Sequence, residues 1–446
     1  MERLAMRQLM AWSASARRKP LLIRGARQVG KTWLARRFGE EHFARTVYVN
    51  FEQDAGPLRP GPLTSIFAED LHPARILRAL EALYSVKIDP ADTLLIFDEV
   101  QAVPRALTSL KYFAEQAPEY AIVAAGSHLG VTLHPGASFP VGKVDFCFLH
   151  PLTFGEFLTA KGRSDLADAV TRGDWSLLDA VHPMMVTLLR EYLVVGGMPE
   201  AVQAYLDDES VLSARRVQQD ILQFFRADFS KHAPAAQLAR IWQVWDSIPV
   251  HLGRENQKLI WGAVRPGARA KEFEFALQWL TDYGVAHQVP RLTKPGLPLA
   301  AYSEDGVFKL FGLDVGLLGA MTGLEASTLA LGDAAFTEFR GTLAEQFVLQ
   351  HIVAHRFDGV SHPAHYWTGK AAEVDFVVHL GGDVVPLEVK SAEHVRSQSL
   401  RSYIDRYHPA HAYRLSLARH RAQDDFTNVP LYAVESLVTC AAATKP

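Results

Sequence analysis

Residues 25–32 have the composition of a phosphate-binding loop. They read G-A-R-Q-V-G-K-T and lie between an apolar run, 21–23, and a run with apolar residues at helical spacing, 33–38. Glycine lets the backbone turn tightly enough for successive N–H groups to point at a phosphate, at the positive end of the following helix. The alternative is an ordinary turn between strand and helix with a chance Lys-Thr pair. We assign nucleotide contacts to Gly25, Ala26, Arg27, Gln28, Val29, Gly30, Lys31 and Thr32.

Two residues of this loop and two later acids could perform the chemistry of phosphate transfer. Lys31 would place a positive charge on the β- and γ-phosphates, and the Thr32 hydroxyl would hold Mg²⁺. A second apolar run, 93–97, ends in Asp98, which can reach the metal ion, and Glu99, which can accept a proton from the attacking water. The alternative is that Asp98 caps the next helix and Glu99 is merely solvated. The pattern predicts Mg²⁺-dependent ATP hydrolysis, with Lys31 and Glu99 as catalytic residues and Thr32 and Asp98 as metal ligands.

A third apolar run, 121–125, ends in polar residues that could sense the γ-phosphate. We assign this catalytic role to Ser127, which is followed by His128; the alternative is that either side chain only caps the next turn. Further strand-like runs at 46–51 and 144–149 alternate with helical patterns. This alternation predicts an α/β fold, with a mainly parallel sheet, helices on both faces and the nucleotide at the carboxyl ends of the strands.

With these motifs the chain resembles the AAA superfamily of P-loop ATPases, and within it a prokaryotic group whose ATPase carries a C-terminal domain related to restriction endonucleases. The motifs span both ends of the ATPase half, which we place at residues 1–210. They are the octet at 25–32, F-D-E-V-Q at 97–101, H-P-L-T-F-G-E-F at 150–157 and G-G-M-P at 196–199. The resemblance implies ATP and Mg²⁺ as cofactors.

One position departs from this group. Its members usually carry Gly-Arg just before the fifth strand, where the arginine is a candidate finger for the γ-phosphate of a neighbouring subunit. Here the two positions hold Gly142 and Lys143. A strong finger is not expected, because lysine is a point charge and cannot make the two-pronged contact of arginine. We assign the catalytic role to Lys143, with Arg105 and Arg190 as alternatives between which the sequence does not choose.

The middle of the chain, which we place at 211–330, changes to amphipathic helices followed by a short hairpin. Helix, helix and hairpin predict a winged-helix module. Such a module can read DNA through its second helix, which here carries Arg265, Arg269 and Lys271. A packing or partner module is the alternative, because three basic residues on a solvated helix face need no function.

Two strand-like runs near the C-terminus, joined by a Gly-Gly-Asp hairpin signal, bring acidic and basic residues together. Strand alternation places Asp375 on one face of the first strand, and Glu388 and Lys390 on one face of the second. This D…E-x-K spacing resembles the metal-dependent nuclease core of restriction enzymes and junction resolvases. There, two acids hold Mg²⁺ and the lysine stabilises charge on the attacked phosphate or positions water. The resemblance implies a restriction-endonuclease-like domain at 331–446, with Lys390 as a catalytic residue.

A helix predicted upstream carries Glu345 on an apolar face that would not bury a carboxylate without a partner. In the nuclease group an acid occupies that helix, so the resemblance implies Glu345, Asp375 and Glu388 as metal ligands, with Glu373 behind them. Between residues 390 and 421, seven Lys or Arg residues stand against two Asp or Glu, a bias that suits a phosphate backbone. The alternative is a degenerate nuclease fold that keeps these residues as a buried ion network.

The composition is that of a globular chain of several domains. Its 446 residues are 48% apolar, its net charge of −3 gives no overall basic field for nucleic acid, and two cysteines are too few for a disulfide framework or a zinc cluster. We expect a cytoplasmic protein without a signal peptide or membrane helix. ATP is the expected ligand, and DNA, a protein partner and further copies of the chain (a homo-oligomer) are candidate partners.

Three functions stay open at this point. The first is an ATPase whose nucleotide state switches the other domains. The second is an ATP-regulated DNA nuclease, and the third is a nucleotide-gated interaction module with an inactive nuclease fold. A complete set of metal ligands favours the second over the third. The acidic net charge and the missing arginine finger favour modest, regulated activity.

Overall fold

The computed structural model describes residues 1–54, 61–126, 139–254, 257–323, 336–355, 362–392 and 397–443. The chain divides into two compact units, one of residues 2–150 and one of residues 151–446 together with Met1. The domain boundaries expected near residues 210 and 330 lie inside the second unit and stay predictions. Within these described ranges, no helix is both long enough and apolar enough to cross a membrane.

The first unit is built on a five-stranded sheet in which each strand pairs in parallel with its neighbours. The parallel α/β sheet expected from the sequence is therefore confirmed. In chain order the strands are β1 (Leu21–Arg24), β2 (Arg45–Asn50), β3 (Thr93–Asp98), β4 (Ala121–Ala125) and β5 (Asp145–Phe148). The helices are α1 (Ala5–Ser13), α2 (Lys31–His42), α3 (Pro62–Ala68), α4 (Pro73–Tyr84) and α5 (Pro104–Gln116).

The strand order places the two nucleotide motifs at the same edge of the sheet. It runs β2, β3, β4, β1, β5, so the carboxyl ends of β1 and β3 are separated only by β4. All residues of β3 and β4 are buried, because these central strands are covered by apolar side chains on both faces, as parallel strands usually are. The loop after β1 and the acid at the end of β3 therefore approach each other across the carboxyl end of β4.

The second unit combines many helices with one eight-stranded mixed sheet. Its helices are α6 (Phe154–Ala160), α7 (Ser164–Arg172), α8 (Trp175–Ala180), α9 (His182–Val195), α10 (Pro199–Asp208), α11 (Val211–His232), α12 (Leu238–Leu252), α13 (Trp261–Val264), α14 (Ala270–Tyr283), α15 (Val315–Met321), α16 (Phe336–Ala354), α17 (Gln398–Tyr407) and α18 (Val434–Ala443). Its strands are β6 (Ala286–Leu292), β7 (Ser303–Gly312), β8 (His365–Thr368), β9 (Glu373–Leu380), β10 (Asp383–Val389), β11 (Tyr413–Ser416), β12 (Arg421–Ala422) and β13 (Thr427–Pro430).

This sheet runs without interruption through the predicted boundary at residue 330. Its order is β12, β13, β11, β10, β9, β8, β6, β7, and β6 pairs in parallel with β8. The hairpin of β6 and β7 is the one expected from the sequence near residues 290–301, and it follows helices α13 and α14. An unpaired edge of β6 would expose backbone N–H and C=O groups, and the pairing of Arg291 and Leu292 with β8 covers the carboxyl end of this edge. Residues 151–446 consequently form one unit.

The C-terminal elements follow the order α16, β8, β9, β10, α17, β11. Strands β8, β9 and β10 form an antiparallel meander, and β10 pairs in parallel with β11 after the crossover through α17. The register aligns Phe376 of β9 with Leu387 of β10. The next residues along these two strands are Asp375 and Glu388, so the two acids come from adjacent positions of neighbouring strands.

Two of the sequence motifs meet in the second unit. The Leu152 N–H donates a hydrogen bond to the Gly197 carbonyl at 2.6 Å, and a Cβ at position 197 would lie 2.2 Å from the Leu152 carbonyl oxygen. The Gly197 N–H donates to the Asp314 carboxylate at 2.6 Å, and Gln350 donates to the same carboxylate at 3.1 Å. The H-P-L-T-F and G-G-M-P motifs are thus held together by backbone approach and a buried aspartate.

Candidate nucleotide site and C-terminal carboxylate cluster

The phosphate-binding loop has a backbone that only certain residues can adopt. A Cβ at Gly25 would lie 2.2 Å from the carbonyl oxygen of Leu149, so no larger residue fits there. Gln28 and Gly30 have positive φ values of 65° and 94°, and Gly30 leads directly into α2. The loop therefore ends on a helix N-terminus, where backbone N–H groups and the helix dipole favour an anion.

Lys31 lies inside this loop. Its ammonium group donates hydrogen bonds to the carbonyl oxygens of Gly25 at 3.0 Å and Ala26 at 2.8 Å, and the residue is only 6% exposed. The lysine is therefore held over the residues whose N–H groups would cradle a phosphate, as its place in the octet predicts.

Thr32 and Asp98 are brought into direct contact. The Thr32 hydroxyl donates to the Asp98 Oδ2 atom at 2.8 Å, and the Tyr48 hydroxyl donates to the same oxygen at 2.7 Å. Burial, followed by the bond to Asp98, raises the pKa of Tyr48 above its usual range. A hydroxyl and a carboxylate side by side are the oxygen ligands that Mg²⁺ prefers, so this donor set fits the ion. Tyr48 was missed because its position beside β3 follows from strand order alone.

Glu99 has an unusual backbone conformation. Its φ is 50°, in the left-handed region, and its carboxylate accepts a hydrogen bond from the Gln101 side-chain amide. Both residues belong to the F-D-E-V-Q motif, but the sequence suggested no role for Gln101. The amide holds the acid that is expected to accept a proton.

The structure describes the proposed finger residues but not the proposed sensor residue. Ser127, with His128, lies outside the described residues. The Lys143 ammonium forms an ion pair of 2.9 Å with Glu115, and this contact lowers the pKa of the Glu115 carboxyl. Arg105 donates to the carbonyl oxygens of Phe67, at 2.7 Å, and Glu69, at the end of α3. A role for any of them in catalysis stays a prediction.

Arg190, the other alternative finger, lies on α9 in the second unit. It is close enough to Arg340 to lower the pKa of that guanidinium, after burial, which is the larger cause. Proximity to Arg340 does not test whether Arg190 contacts a nucleotide. A catalytic role for Arg190 therefore also stays a prediction.

Arg3 is a buried residue that sequence reasoning missed. One guanidinium nitrogen donates to the Val29 carbonyl of the phosphate-binding loop at 2.8 Å, and the other donates to the His150 carbonyl. Gly25 of the same loop packs on Leu149, the residue before His150. The loop is thereby fastened to the segment that follows β5. No sequence signal marks Arg3, because its partners are backbone carbonyls that are distant in the chain.

A buried lysine lies among the C-terminal acids. The Lys309 ammonium on β7 is 2.7 Å from Glu373 Oε1 and 3.3 Å from Glu345 Oε2, and the side chain is 1% exposed. The Gln257 amide donates to the other Glu345 oxygen at 2.9 Å. We call Lys309, Glu345, Glu373, Asp375 and Gln257 the Lys309 cluster.

The electrostatics of the cluster keep Lys309 charged. Burial lowers the pKa of the ammonium, but the nearby Glu345, Glu373 and Asp375 raise it by more, and the net pKa lies above the usual range. For Glu345, burial raises the pKa more strongly than the attraction of Lys309 lowers it, and Asp375 adds to the rise. A buried ammonium therefore balances carboxylates that would otherwise be costly to bury.

Lys309 left a signal in the sequence that could have been used. It lies in the run V-F-K-L-F-G-L at 307–313, where it is the single charge among apolar residues. Such a residue needs a buried partner. The identity of that partner depends on packing.

Glu388 lies on β10 next to Asp375 of the Lys309 cluster, and Lys390 follows it by two residues. The contacts of these two residues differ from those within the cluster. Glu388 Oε1 is 3.5 Å from the Lys390 ammonium, and Asp375 Oδ2 accepts the Val389 N–H at 2.7 Å. Among the described residues, the buried Oε2 atom of Glu388 has no hydrogen-bond donor.

The predicted metal ligands Glu345, Asp375 and Glu388 do not fit a divalent ion as they are arranged. Both Glu345 oxygens already accept N–H donors, and one Asp375 oxygen is taken by the backbone. Over the ranges that the structure describes, no group of three or more His, Cys, Asp or Glu residues could hold a metal ion. Metal binding by these three acids stays a prediction that this geometry does not support.

The parallel sheet, the phosphate-binding loop and the Thr32–Asp98 pair define the first unit as a P-loop ATPase domain. The profile of a family described as "AAA domain" matches residues 17–158, which implies ATP binding and hydrolysis. Two further profiles match the second unit, both described as domains of unknown function: DUF8612 at residues 186–328 and DUF4143 at residues 340–434. No curated protein matches the chain.

The chain is also similar to proteins of known structure. One is the Walker-type ATPase of Pyrococcus abyssi, at 14% identity and a TM-score of 0.44, covering 71% of this chain and 94% of the other. Another is Cdc6p of Pyrobaculum aerophilum, at 13% identity and a TM-score of 0.27, covering 73% of this chain and 93% of the other. These scores are too low to support an argument about function.

Proposed function

We propose that the chain is a Mg²⁺-dependent ATP hydrolase whose nucleotide state switches its C-terminal half. The observation that carries the proposal is the 2.8 Å hydrogen bond between Thr32 and Asp98, next to a lysine held inside the loop. When bound, Mg²⁺ would neutralise charge on the phosphates. Lys31 would bind those phosphates, and Glu99 would take the proton of the attacking water while Gln101 holds its carboxylate.

The proposed link to the second unit is the segment that follows β5. Gly25 packs on Leu149, and Arg3 joins Val29 to His150. Residue 151 begins the second unit. A shift of the loop on nucleotide binding would therefore pull on the backbone that leads into that unit.

ATP turnover with Mg²⁺, compared with turnover in EDTA, tests the hydrolase. Hydrogen exchange of residues 151–446 in Glu99→Gln, with and without ATP, tests the switch. We expect turnover only with the metal, and ATP-dependent protection changes beyond residue 151. Turnover without any such change would leave an ATPase that does not switch its C-terminal half.

For the C-terminal half we propose a winged-helix module and a restriction-endonuclease-like domain, at about 211–330 and 331–446. The order of α13, α14, β6 and β7 supports the first, and the meander and crossover from α16 to β11 support the second. DNA contact through α14 has less support. Arg265 and Arg269 precede α14, which begins at Ala270, so the prediction that this helix carries all three basic residues was wrong, and of the three only Lys271 lies on it. Arg265 is paired with Glu272 at 2.5 Å.

Two functions for this domain remain in competition. Glu388 favours a nuclease, because its buried Oε2 atom has no hydrogen-bond donor among the described residues and its Oε1 atom lies near Lys390. Lys309, already paired with Glu345 and Glu373, favours a non-cleaving interaction module. Incubation with linear, supercoiled and branched DNA, in Mg²⁺ or Mn²⁺ and with or without ATP, separates them. Cleavage that is lost in Glu388→Ala would establish the nuclease, and intact DNA under every condition would leave the interaction module.

A further inference from the structure

We propose that Lys309 is the resident cation of the C-terminal carboxylate cluster, which is closed by this internal lysine and not by a divalent metal ion. Its ammonium contacts Glu345 and Glu373 at 3.3 and 2.7 Å. These are the lengths of ion pairs with an ammonium group. Oxygen ligands lie about 2.0–2.1 Å from Mg²⁺. The acids are spaced for the larger cation.

Charge balance leads to the same conclusion. Glu345, Glu373 and Asp375 all act on Lys309, so one ammonium stands against three carboxylates, of which Glu345 and Asp375 are buried and Glu373 is partly exposed. Removing the lysine would leave buried acids with no cation, which is among the most destabilising changes that a folded chain can suffer. A metal ion would have to displace an ammonium group that is already desolvated and paired.

The lysine and the acids come from different parts of the chain. Lys309 lies on β7, in the predicted winged-helix region, whereas Glu345 lies on α16 and Glu373 on β9, in the predicted nuclease-like region. The Lys309 ion pairs therefore tie the outer hairpin of the sheet to the C-terminal elements. Opening the acid cluster to a metal would require the hairpin to release its lysine.

The test compares Lys309→Met with Lys370→Met, which removes the same charge from an exposed lysine of the same unit. Each purified, nucleotide-free protein is stripped of metal and titrated with Mn²⁺ by calorimetry, and its thermal unfolding is followed with and without Mn²⁺. We expect the wild type and Lys370→Met to give the same Mn²⁺ titration, with no Mn²⁺ bound at the carboxylate cluster. Lys309→Met should unfold on the order of 10 °C lower and recover in Mn²⁺, because its unbalanced acids accept the metal.

If Lys309→Met does not fold, the double variant Lys309→Met with Glu345→Gln removes one charge of each sign and should restore folding. Failure of that rescue would overturn the proposal. So would a Mn²⁺ site in the wild type that disappears in Asp375→Asn, or a Lys309→Met variant with wild-type stability. ATP hydrolysis tests the proposed ATPase function and not the role of Lys309, because none of these substitutions lies in the first unit.

Discussion

Lys31 and Thr32 are neighbours in the chain, but their side chains contact different parts of the nucleotide site. Lys31 turns back onto the carbonyl oxygens of Gly25 and Ala26, and Thr32 reaches across to Asp98 on β3. Because α2 begins at Lys31, both side chains belong to the first turn of this helix, and the rigid helical backbone fixes their directions. Substitutions of Lys31 or Thr32 are therefore expected to reduce nucleotide binding or hydrolysis more than they reduce the stability of the fold.

Lys31→Ala should abolish ATP binding, because the phosphates lose the ammonium group held at the centre of the loop. Loss of charge-assisted hydrogen bonds of about 1.5–3 kcal/mol each corresponds to an affinity reduced by on the order of 100-fold or more. Calorimetric titration with ATP measures the change. Arg37→Ala is the control, since it removes a positive charge from an exposed ion pair on the same helix. Equal ATP affinity in Lys31→Ala and the wild type would refute the assigned role.

Glu99→Gln should bind ATP almost normally and hydrolyse it about 10²- to 10⁴-fold more slowly, the usual contribution of a general base. Gln101→Ala should lower kcat by less and leave KM unchanged, because the amide only holds the Glu99 carboxylate. Steady-state turnover separates the two effects. If Glu99→Gln turns over ATP at the wild-type rate, another group accepts the proton.

At the scale of elements, the first N–H groups of α6 are bound by one local side chain and two side chains that are distant in the sequence. Thr153 accepts the Glu156 N–H at 3.2 Å, Glu435 accepts the Gly155 N–H at 2.7 Å, and His351 accepts the Phe154 N–H at 2.8 Å. The first N–H groups of a helix have no partner within it. Here α16 and α18 supply two of the acceptors, so α6 is stable only when all three elements are packed.

His351 should make the second unit less stable in acid. Its Nε2 atom accepts the Phe154 N–H, so Nδ1 carries the proton that bonds the Phe347 carbonyl, and the ring is neutral. Burial lowers its pKa to about 4 although Glu435 raises it, and His355 lowers it further. Below pH 6.5 the unfolded chain takes up a proton that the folded chain refuses. The contribution of His351 to the free energy of unfolding should therefore fall by up to about 1.4 kcal/mol per pH unit between pH 6.5 and 4. His355 contributes in the opposite direction, because burial lowers its pKa but Glu435 raises it by more.

Urea unfolding of the second unit across this pH range measures the slope. His351→Gln keeps an acceptor for the Phe154 N–H but cannot titrate, so its slope should be smaller. His411→Gln, an exposed histidine of the same unit, is the control and should keep the wild-type slope. The neighbouring Glu435 has its pKa lowered to about 2, so the stability it contributes is lost only as the pH falls from about 4.5 towards 2. Identical slopes in His351→Gln and the wild type would contradict the prediction.

At the scale of the whole molecule, each of the two units has its own sheet. In the second unit, β6 continues the sheet of β8 to β13, which joins the two predicted C-terminal domains by backbone hydrogen bonds. Domain boundaries drawn from motifs alone would cut through this sheet. Truncated chains that end near residue 330 are therefore expected to expose the edge of β6.

Lys143→Ala should lower ATP turnover less than Glu99→Gln does, because the ammonium is already paired with Glu115 in its own subunit. If Lys143 acts on the nucleotide of another copy of the chain, the defect will depend on protein concentration. Turnover measured over a wide concentration range tests this, with Glu115→Gln as the matched variant. A collapse of activity that is the same at every concentration would place Lys143 in the site of its own subunit.

The sequence alone determined those parts of the protein that depend on consecutive residues. The octet at 25–32, the acids at 98 and 99, the five strands of the first unit and the hairpin of the second all follow from local spacing. Such patterns work because the strand and helix periods and the turning of glycine are properties of neighbouring residues. The AAA domain could therefore be inferred before any packing was known.

Only the tertiary structure decided which distant side chains meet. Tyr48 bonds Asp98 because β2 lies beside β3, and Arg3 reaches the loop because its guanidinium bridges Val29 and His150. Lys309 finds Glu345 and Glu373 because β7 is the last strand of a sheet that also contains β9. Strand order and helix packing are set by burial of the whole core, and a charged residue acquires its partner only after that core has formed.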